Sequence, residues 1–334
     1  MSEPTSSLTL NEKNSLFQVI QSLKNNGKVI IYISHFLDDV INLCEQVIIL
    51  RDGEIVRNQK SSILDKHSII KDILGTKKIQ NLDFQYPQAS KRKILFSVKN
   101  VRYKNTMSPI NFNLYAGEIV GLWGLLGSGR TEIFQALVGL IPILEGQIYL
   151  NHRGELKNIT PNDLRKKIGY ITENQRESGL FSTLPVWQNI TAASTYKYKK
   201  VFGVLNTLKE QQDALSFVEF LNITTPSIHC SAGQLSGGNQ QKMIFAKWLN
   251  RNPKILFLDE PTRGMDISAK YEILNRIKDL ALKGNSVLMI SSEIDELLKI
   301  CDRIFTLYQC NIISEFSKEN FNQEEIMHSQ WGPL

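Results

Sequence analysis

A glycine-rich segment near the middle of the chain has the composition of a phosphate-binding loop. Residues 124–131 read GLLGSGRT and follow an apolar run at 118–123. Glycines let the backbone curl so that successive N–H groups converge on phosphate oxygens. The pattern is that of a P-loop in its strand–loop–helix context, and we expect the helix to begin at Thr131. The loop residues are Gly124, Gly127, Ser128 and Gly129.

Two polar side chains at the end of this loop would face the phosphates. The Thr131 hydroxyl is a ligand that Mg²⁺ accepts in P-loops. Arg130 stands where P-loops carry a lysine; it remains cationic, but its planar fork does not reproduce the geometry of an ammonium group. On these residues alone, a glycine-rich turn that binds no ligand stays open as the alternative.

A pair of carboxylates follows a second apolar run. Asp259 and Glu260 come directly after the residues ILFL at 255–258, about 130 residues beyond the loop. In phosphoryl transfer a carboxylate in this place holds the Mg²⁺ shell, and its neighbour orients or polarises the attacking water. Alone, the pair could be a surface Asp-Glu; its combination with the P-loop favours a nucleotide site.

A third polar segment lies between these two. Residues 234–242 read QLSGGNQQK, and Ser-Gly-Gly before an amphipathic run predicts a capped helix start. A hydroxyl and free backbone N–H groups at a helix tip form an anion site, although an ordinary helix begins in the same way. The residues concerned are Ser236, Gly237, Gly238 and Asn239.

Composition excludes several classes of protein. The chain has 334 residues, with 39 Lys and Arg against 33 Asp and Glu, a net charge of +6. This is globular composition of about two domains' length, which excludes disordered, collagen-like and disulfide-stapled chains. No apolar run reaches the length of a membrane helix, and the polar start argues against a secretion signal. The charge does not argue for nucleic acid.

The elements that must position these residues alternate along the chain. Apolar runs predict buried parallel strands at residues 29–34, 118–124, 254–259 and 286–291. Amphipathic stretches at 131–140 and 239–249 predict helices. Alternating strands and helices favour an α/β fold with a largely parallel sheet.

The sequence also repeats itself. At an offset of 257 residues, 31–40 aligns with 288–297, Gly27 with Gly284, and the Glu-Pro-Thr at position 3 with that at position 260. We therefore expect residues 1–75 to be the C-terminal remnant of a first domain, 76–90 a linker, and 91–334 a complete second domain. A small complete domain at 1–75 is the alternative, disfavoured because so short a unit buries little core.

The order of the motifs resembles that of the ATP-binding-cassette (ABC) ATPases, in particular the double-cassette subunits of monosaccharide importers. The resemblance rests on 124–132, 234–242 and 258–270, with support from 3–9 and 32–40. It implies a P-loop NTPase of the ABC type, with a mixed, mostly parallel sheet and a helical subdomain. It also implies that ATP and Mg²⁺ bind, with Thr131 and Asp259 near the metal.

The resemblance implies further roles. Cassettes pair face to face, so Ser236 to Asn239 would contact the ATP of an opposite cassette, and Asp266 would lie in a segment between the two. Ser292 stands where the family places a γ-phosphate histidine, which the first half carries as His35. Glu173 stands near the family's lid glutamine. Tyr103 is a candidate for stacking on adenine, with simple packing as the alternative.

The function implied is the ATP-binding subunit of a sugar importer, peripheral at the cytoplasmic face of the membrane. Its partners would be integral membrane permease subunits, a periplasmic or extracellular sugar-binding protein, and a cassette supplied in trans. An arginine in the second P-loop is usual in the family and predicts a weakly hydrolytic site, with Glu260 and Ser292 at the catalytic positions.

Two other readings remain open at this point. One is a remnant that binds nucleotide without turnover. The other is a soluble twin-cassette factor acting on ribosomes or DNA, disfavoured by the short linker and by the Asn-Gln-Gln-Lys that continues the 234–242 segment. A Rossmann oxidoreductase is excluded because no G-x-G-x-x-G opens a βαβ unit, and no nucleic-acid partner is expected.

Overall fold

A computed structural model describes residues 10–34, 37–51, 53–74, 92–174, 177, 179–200 and 203–332. The chain divides into two compact units. The N-terminal unit comprises Met1–Phe84 with Gly264–Tyr271, and the C-terminal unit comprises Gln85–Arg263 with Glu272–Leu334. The predicted linker, the first Glu-Pro-Thr and His35 lie outside the described residues, and the domain limits 1–75 and 91–334 stay a prediction.

The N-terminal unit consists of short helices packed on one β-hairpin. Its elements are α1 (Leu10–Asn25), α2 (Leu37–Leu43), β1 (Gln46–Arg51), β2 (Glu54–Lys60) and α3 (Lys66–Leu74). A small apolar core joins α2, β1 and α3 through Leu37, Val47, Ile49 and Ile69.

The C-terminal unit has two sheets and the helices around them. Its strands are β3 (Ile94–Arg102), β4 (Ile110–Tyr115), β5 (Ile119–Gly124), β6 (Glu145–His152), β7 (Glu155–Asn158), β8 (Gly169–Ile171), β9 (Ile255–Asp259), β10 (Ser286–Ile290), β11 (Arg303–Tyr308) and β12 (Asn311–Ser317). The helices are α4 (Arg130–Leu137), α5 (Pro161–Arg165), α6 (Val186–Thr191), α7 (Thr207–Phe220), α8 (Gly237–Asn250), α9 (Ile267–Leu282), α10 (Ile294–Ile300) and α11 (Gln323–Ser329). Helix α9 begins in the segment that groups with the N-terminal unit.

The larger sheet has the strand order β12-β11-β5-β10-β9-β8. All neighbours are parallel except the β11–β12 hairpin. Strands β5, β8, β9 and β10 are buried along their whole length, as expected of a parallel sheet covered on both faces. The α/β fold with a mixed, mostly parallel sheet is therefore confirmed.

The smaller sheet is antiparallel, with the order β4-β3-β6-β7. The main core lies between the two sheets and around α4. Its aromatic rings are in direct contact: Phe257 stacks on Phe134 at 4.9 Å between centroids and meets Phe96 edge-on at 5.8 Å. The carboxyl ends of β5 and β9, with β10 between them, lie at the same edge of the parallel sheet, and so do the two predicted polar motifs.

Helices α6, α7 and α8 pack together as the helical part of the fold. The buried Asn189 holds the segment that precedes α6. Its amide oxygen accepts the Phe181 N–H at 2.9 Å, and its amide nitrogen donates to the Phe181 and Leu184 carbonyls. The predicted helical subdomain is present. No helix among the described residues combines the length and apolar character needed to cross a bilayer.

One predicted strand is wrong. Residues 29–34 do not form a strand, although an isolated β-bridge is present at Ile33 and their repeat counterpart is β10. Strand β10 takes its hydrogen bonds from β5 on one side and β9 on the other. The described residues of the N-terminal unit contain no strand equivalent to β5 or β9.

Candidate functional site

The glycine-rich loop connects β5 to α4, as predicted. Gly127 and Gly129 have positive φ angles of 81° and 97°, and Gly129 caps the N-terminus of α4. A Cβ on Gly129 would lie 2.7 Å from Cys310 Sγ and 2.8 Å from Cys310 Cα. The loop is held by hydrogen bonds from the Ser128 N–H to the Leu125 carbonyl (3.0 Å) and from the Cys310 N–H to the Ser128 carbonyl (2.7 Å). Only glycine fits at position 129 without moving this support.

This loop forms one wall of a pocket of about 310 Å³. The pocket brings together most of the predicted loop residues with Glu173, Asp259 and Glu260. Its lining is Leu126, Gly127, Ser128, Gly129, Arg130, Thr131, Glu132, Gln135, Glu173, Asp259, Glu260 and Ile290. A concave site with convergent backbone N–H groups, a cation and carboxylates has the composition expected for an anionic nucleotide and its metal.

Asp259 ends β9 fully buried at the base of this pocket. Neither carboxylate oxygen has a hydrogen-bond partner among the described residues. Burial raises the pKa of Asp259 to about 7, and the nearby Thr131 hydroxyl, although not in hydrogen-bonding geometry, counteracts this rise. A buried carboxylate with free oxygens beside a hydroxyl fits a hydrated Mg²⁺. Nowhere in the described part of the chain, this pocket included, do three His, Cys, Asp or Glu side chains gather as a metal site.

Glu260 is held in a strained position beside Asp259. Its φ angle is +50°, a conformation that non-glycine residues adopt at a cost. The Ser292 hydroxyl donates to Glu260 Oε2 at 3.1 Å, and Arg130 Nη1 lies 3.8 Å from Oε1. Burial raises the pKa of Glu260, while its contacts with Ser292 and Arg130 oppose the rise.

Arg130 is engaged with the far wall of the pocket. Besides its ion pair with Glu260, Nη1 donates to the Ser291 carbonyl at 3.2 Å. Its side chain is only 12% exposed. The predicted phosphate-facing cation is therefore directed at the ends of β9 and β10.

Glu173 follows β8 and lines the pocket, while its predicted place near the metal stays a prediction. Its carboxylate forms an ion pair with the Arg263 guanidinium. Since Arg263 offsets its charge, Glu173 adds less negative potential to the pocket than an unpaired carboxylate would.

The 234–242 segment lies outside this pocket. Ser236 caps α8, and none of Ser236, Gly237, Gly238 or Asn239 lines the cavity. The Asn239 amide donates to the Ser236 hydroxyl at 2.9 Å and accepts the Thr224 N–H at 2.9 Å. The contact of this segment with a nucleotide on another cassette stays a prediction.

Tyr103 lies behind the loop. It is buried, and its hydroxyl donates to the Gly129 carbonyl at 3.4 Å; burial raises its pKa. It does not line the pocket, so this contact with the loop corresponds to the packing alternative, and adenine stacking stays a prediction.

Sequence reasoning missed two contributors to the site. The first is Cys310, which contacts the loop through its N–H and has a φ angle of +66°. The second is Arg263, which forms an ion pair with Glu173. The repeat contains a signal for the first, because position 53, its counterpart, is a glycine with a φ angle of +84°. Arg263 directly follows the Glu-Pro-Thr motif, but nothing in the sequence names its partner.

Comparisons with known proteins agree with this geometry. A family model described as ABC transporter matches residues 107–263. The chain is 40% identical over 98% of its length to the ribose import ATP-binding protein of Clostridium tetani. It is 38% identical over 98% of its length to the galactose/methyl galactoside import ATP-binding protein of Fusobacterium nucleatum. It spans 64% and 65% of these two relatives, just under two thirds.

Solved structures share the fold. A dimeric ATP-binding cassette, described as a post-hydrolysis state bound to ADP and Pi, superposes with a TM-score of 0.58 at 23% identity, covering 68% of this chain and 100% of that one. A second ATP-binding cassette, in its ADP conformation, gives a TM-score of 0.56 at 22% identity, with 72% of this chain and 96% of that chain covered.

Proposed function

Since the chain belongs to the ABC transporter family of ATP-binding proteins, we propose that it is an ATP-binding subunit that energises the import of a monosaccharide. Its C-terminal unit binds ATP, and hydrolysis there is weak. The substrate class follows from relatives named for ribose and for galactose import. The two names differ, so the proposal extends to simple sugars as a class.

The observation that carries the proposal is the pocket between the loop and Asp259. Backbone N–H groups at Gly127 to Thr131 and the start of α4 donate hydrogen bonds to the phosphates. Thr131 and the free oxygens of Asp259 are the residues that would hold Mg²⁺. When bound, the metal would neutralise charge on the β- and γ-phosphates. Glu260 is the group placed to orient water.

Weak turnover follows from the residues that surround Glu260. Phosphoryl transfer depends on positioning and on cations facing the developing charge. Here Arg130 is paired with Glu260 and the Ser291 carbonyl, and Ser292 is too short to span a gap built for imidazole. Loss of one transition-state contact typically costs about 2.7–4 kcal/mol, and such losses need not add.

The partners and location follow from the same proposal. The chain acts at the cytoplasmic face of the membrane as a peripheral subunit of integral permease subunits, which receive the sugar from a periplasmic or extracellular binding protein. Its Ser236 to Asn239 segment serves the P-loop of a cassette supplied in trans.

Calorimetry with Mg-ATP tests the binding step. Gly129→Val should reduce ATP affinity by at least about 100-fold, because the new side chain would collide with Cys310 and close the loop. Gly238→Ala is the matched control, since open space surrounds that position, and it should bind as the wild type does. Equal affinity of the wild type and Gly129→Val would refute the pocket as the ATP site.

A second candidate function is nucleotide binding without any turnover. The Arg130–Glu260 ion pair favours this second function, because the cation and the carboxylate that hydrolysis needs are bound to each other. Phosphate release measured with the permease and a complete first cassette separates the two. Turnover that depends on Glu260 of this chain would exclude the non-catalytic reading.

A further inference from the structure

Helix α10 carries a buried carboxylate that does not line the pocket. Glu296 lies in the first turn of α10 and is 3% exposed, and it is not among the pocket-lining residues. The Thr262 hydroxyl donates to its two carboxylate oxygens, each at 2.8 Å, and the Ser291 hydroxyl donates to Oε2 at 2.7 Å. Since a buried carboxylate is costly without such donors, the cluster holds both hydroxyls in place.

The two donors belong to the two segments that enclose Glu260. Thr262 follows Glu260 by two residues, beyond the end of β9. Ser291 follows the end of β10 and directly precedes Ser292, whose hydroxyl donates to Glu260 Oε2 at 3.1 Å. Glu296 therefore joins the ends of β9 and β10 close to the place where they hold Glu260.

The backbone around Ser291 extends this connection to the rest of the pocket. The Ser291 carbonyl accepts a hydrogen bond from Arg130 Nη1 at 3.2 Å. One residue earlier, the Ile290 carbonyl accepts the Glu260 N–H at 3.0 Å. The segment that Glu296 holds through Ser291 thus contacts the main chain of Glu260 on one side and the guanidinium of Arg130 on the other.

Glu260 needs support of this kind, because its φ angle is +50° and strained backbone persists only where the surroundings over-determine it. We propose that Glu296 is a positioning residue for Glu260: its hydrogen bonds with Thr262 and Ser291 fix the segments on both sides of Glu260 and so set the place of that carboxylate in the pocket. The inference rests on the proposed function, in which Glu260 orients water for a slow hydrolysis of ATP.

A simpler role, closing the start of α10, does not account for the contact with Thr262. The turn before α10 is closed by Ser291, whose hydroxyl accepts the Glu293 N–H at 3.0 Å and donates to the Glu293 carbonyl at 3.3 Å. Thr262 is 34 residues away from Glu296 in the chain and lies outside α10. Its hydroxyl is the part of the cluster that the helix does not need, and it is therefore the group to change.

Two variants of Thr262 separate its hydroxyl from its bulk. Valine has nearly the shape of threonine but cannot donate to Glu296, whereas serine keeps the hydroxyl. Hydrogen exchange of the ligand-free full chain measures the effect on the segments around Glu260. The amides of Glu260 and of residues 291–293 should exchange at least about tenfold faster in Thr262→Val than in the wild type, and within about threefold of the wild type in Thr262→Ser.

Single-turnover hydrolysis of radiolabelled Mg-ATP by an excess of the full chain measures the chemical step even where it is slow. The rate constant should fall at least about tenfold in Thr262→Val and return to within about threefold of the wild type in Thr262→Ser. The affinity for Mg-ATP, measured by calorimetry, should stay within about threefold in both variants, because the loop at 127–131 is unchanged. A slower step at equal affinity indicates a displaced Glu260 and an undisturbed nucleotide.

Two further variants provide a cycle and a control. Glu296→Gln should also lower the rate constant, because an amide has one acceptor oxygen in place of two. Combined with Thr262→Val, it should be no slower than the slower single variant, since both changes remove one contact. Thr160→Val is the matched control: it removes a hydroxyl that donates to Asp163 at 2.9 Å, outside the pocket lining, and should change neither the rate constant nor exchange at Glu260.

Three outcomes would overturn the inference: equal exchange at Glu260 in Thr262→Val and the wild type, a rate constant that Thr262→Ser fails to restore, or a loss of rate matched by a loss of ATP affinity. Failure of the proposed function has a different signature, namely equal hydrolysis by the wild type and by Glu260→Gln. In that case the exchange comparison alone decides whether Glu296 positions Glu260.

Discussion

Arg130 and Glu260 face each other across the pocket with little access to water. Their side chains are 12% and 8% exposed, and their closest charged atoms are 3.8 Å apart. Removing one partner of such a pair leaves the other charge buried and costs more than the pair itself contributes. We therefore interpret Arg130 first as the partner of Glu260 and only second as a ligand of phosphate.

A double-mutant cycle on stability measures this pairing. Arg130→Gln and Glu260→Gln should each destabilise the ligand-free chain, and the double variant should recover part of the loss, with a coupling of about 1 kcal/mol or more. The half-exposed Arg276–Asp279 pair, at 3.4 Å, is the control cycle and should couple by less than about 0.5 kcal/mol. Additive effects in the first cycle would mean that the two groups do not interact in solution.

At the residue scale, the sequence predicts the pocket better than the contacts within it. The lining residues Gly127 to Thr131, Asp259 and Glu260 follow from motif spacing, because each motif ends a buried strand. The partners of Arg130 and Glu173 do not follow, since both ion pairs join segments more than 80 residues apart. Periodicity and spacing contain no information on which carboxylate a guanidinium meets.

Helix α8 carries a buried cation that has no role in the pocket. The Lys247 ammonium donates to the Gly179 carbonyl, and burial lowers its pKa to about 8. Because the unfolded chain binds an extra proton between about pH 8 and 10.5, the contribution of Lys247 to stability rises with pH through this interval and is lowest below it.

Denaturant unfolding of Lys247→Met tests this dependence. The variant lacks the titrating group. The difference in unfolding free energy, variant minus wild type, should therefore be larger at about pH 7 than at about pH 10, by up to about 3 kcal/mol. The exposed Lys209→Met is the control and should show no such difference between the two pH values. If Lys247→Met differs from the wild type in unfolding free energy by the same amount at both pH values, the proposed pKa shift of Lys247 is wrong.

At the element scale, neighbours decide whether a strand forms. The apolar runs at 118–124, 254–259 and 286–291 become strands because each lies between partners. The run at 29–34 has a similar apolar composition but forms no strand beyond an isolated β-bridge at Ile33. The antiparallel sheet β4-β3-β6-β7 was not predicted, since its strands are partly exposed and lack long apolar runs.

At the scale of the whole molecule, the pocket and the 234–242 segment are separate surfaces. Ser236 is exposed at the tip of α8 and does not contribute to the pocket formed by the same chain. The tip of α8 is a potential anion site that does not line this chain's pocket. It is therefore available to a nucleotide bound by another cassette.

Mixing experiments test this arrangement. The purified chain alone should release phosphate barely above the blank, whereas adding an intact first cassette with a lysine P-loop should raise the rate. Ser236→Arg should abolish the increase, because the larger side chain blocks the helix tip, while Leu208→Arg should not. Strong turnover by the chain alone that Glu260→Gln removes would contradict the weak-site proposal.

The central position of β10 has a consequence for the order in which the C-terminal unit folds. Strand β10 follows β9 closely in the chain, but its other neighbour, β5, lies roughly 170 residues earlier, and contacts over such separations form slowly. We expect the β9–β10 pair to form early and the β5–β10 and β5–β11 pairs to close last.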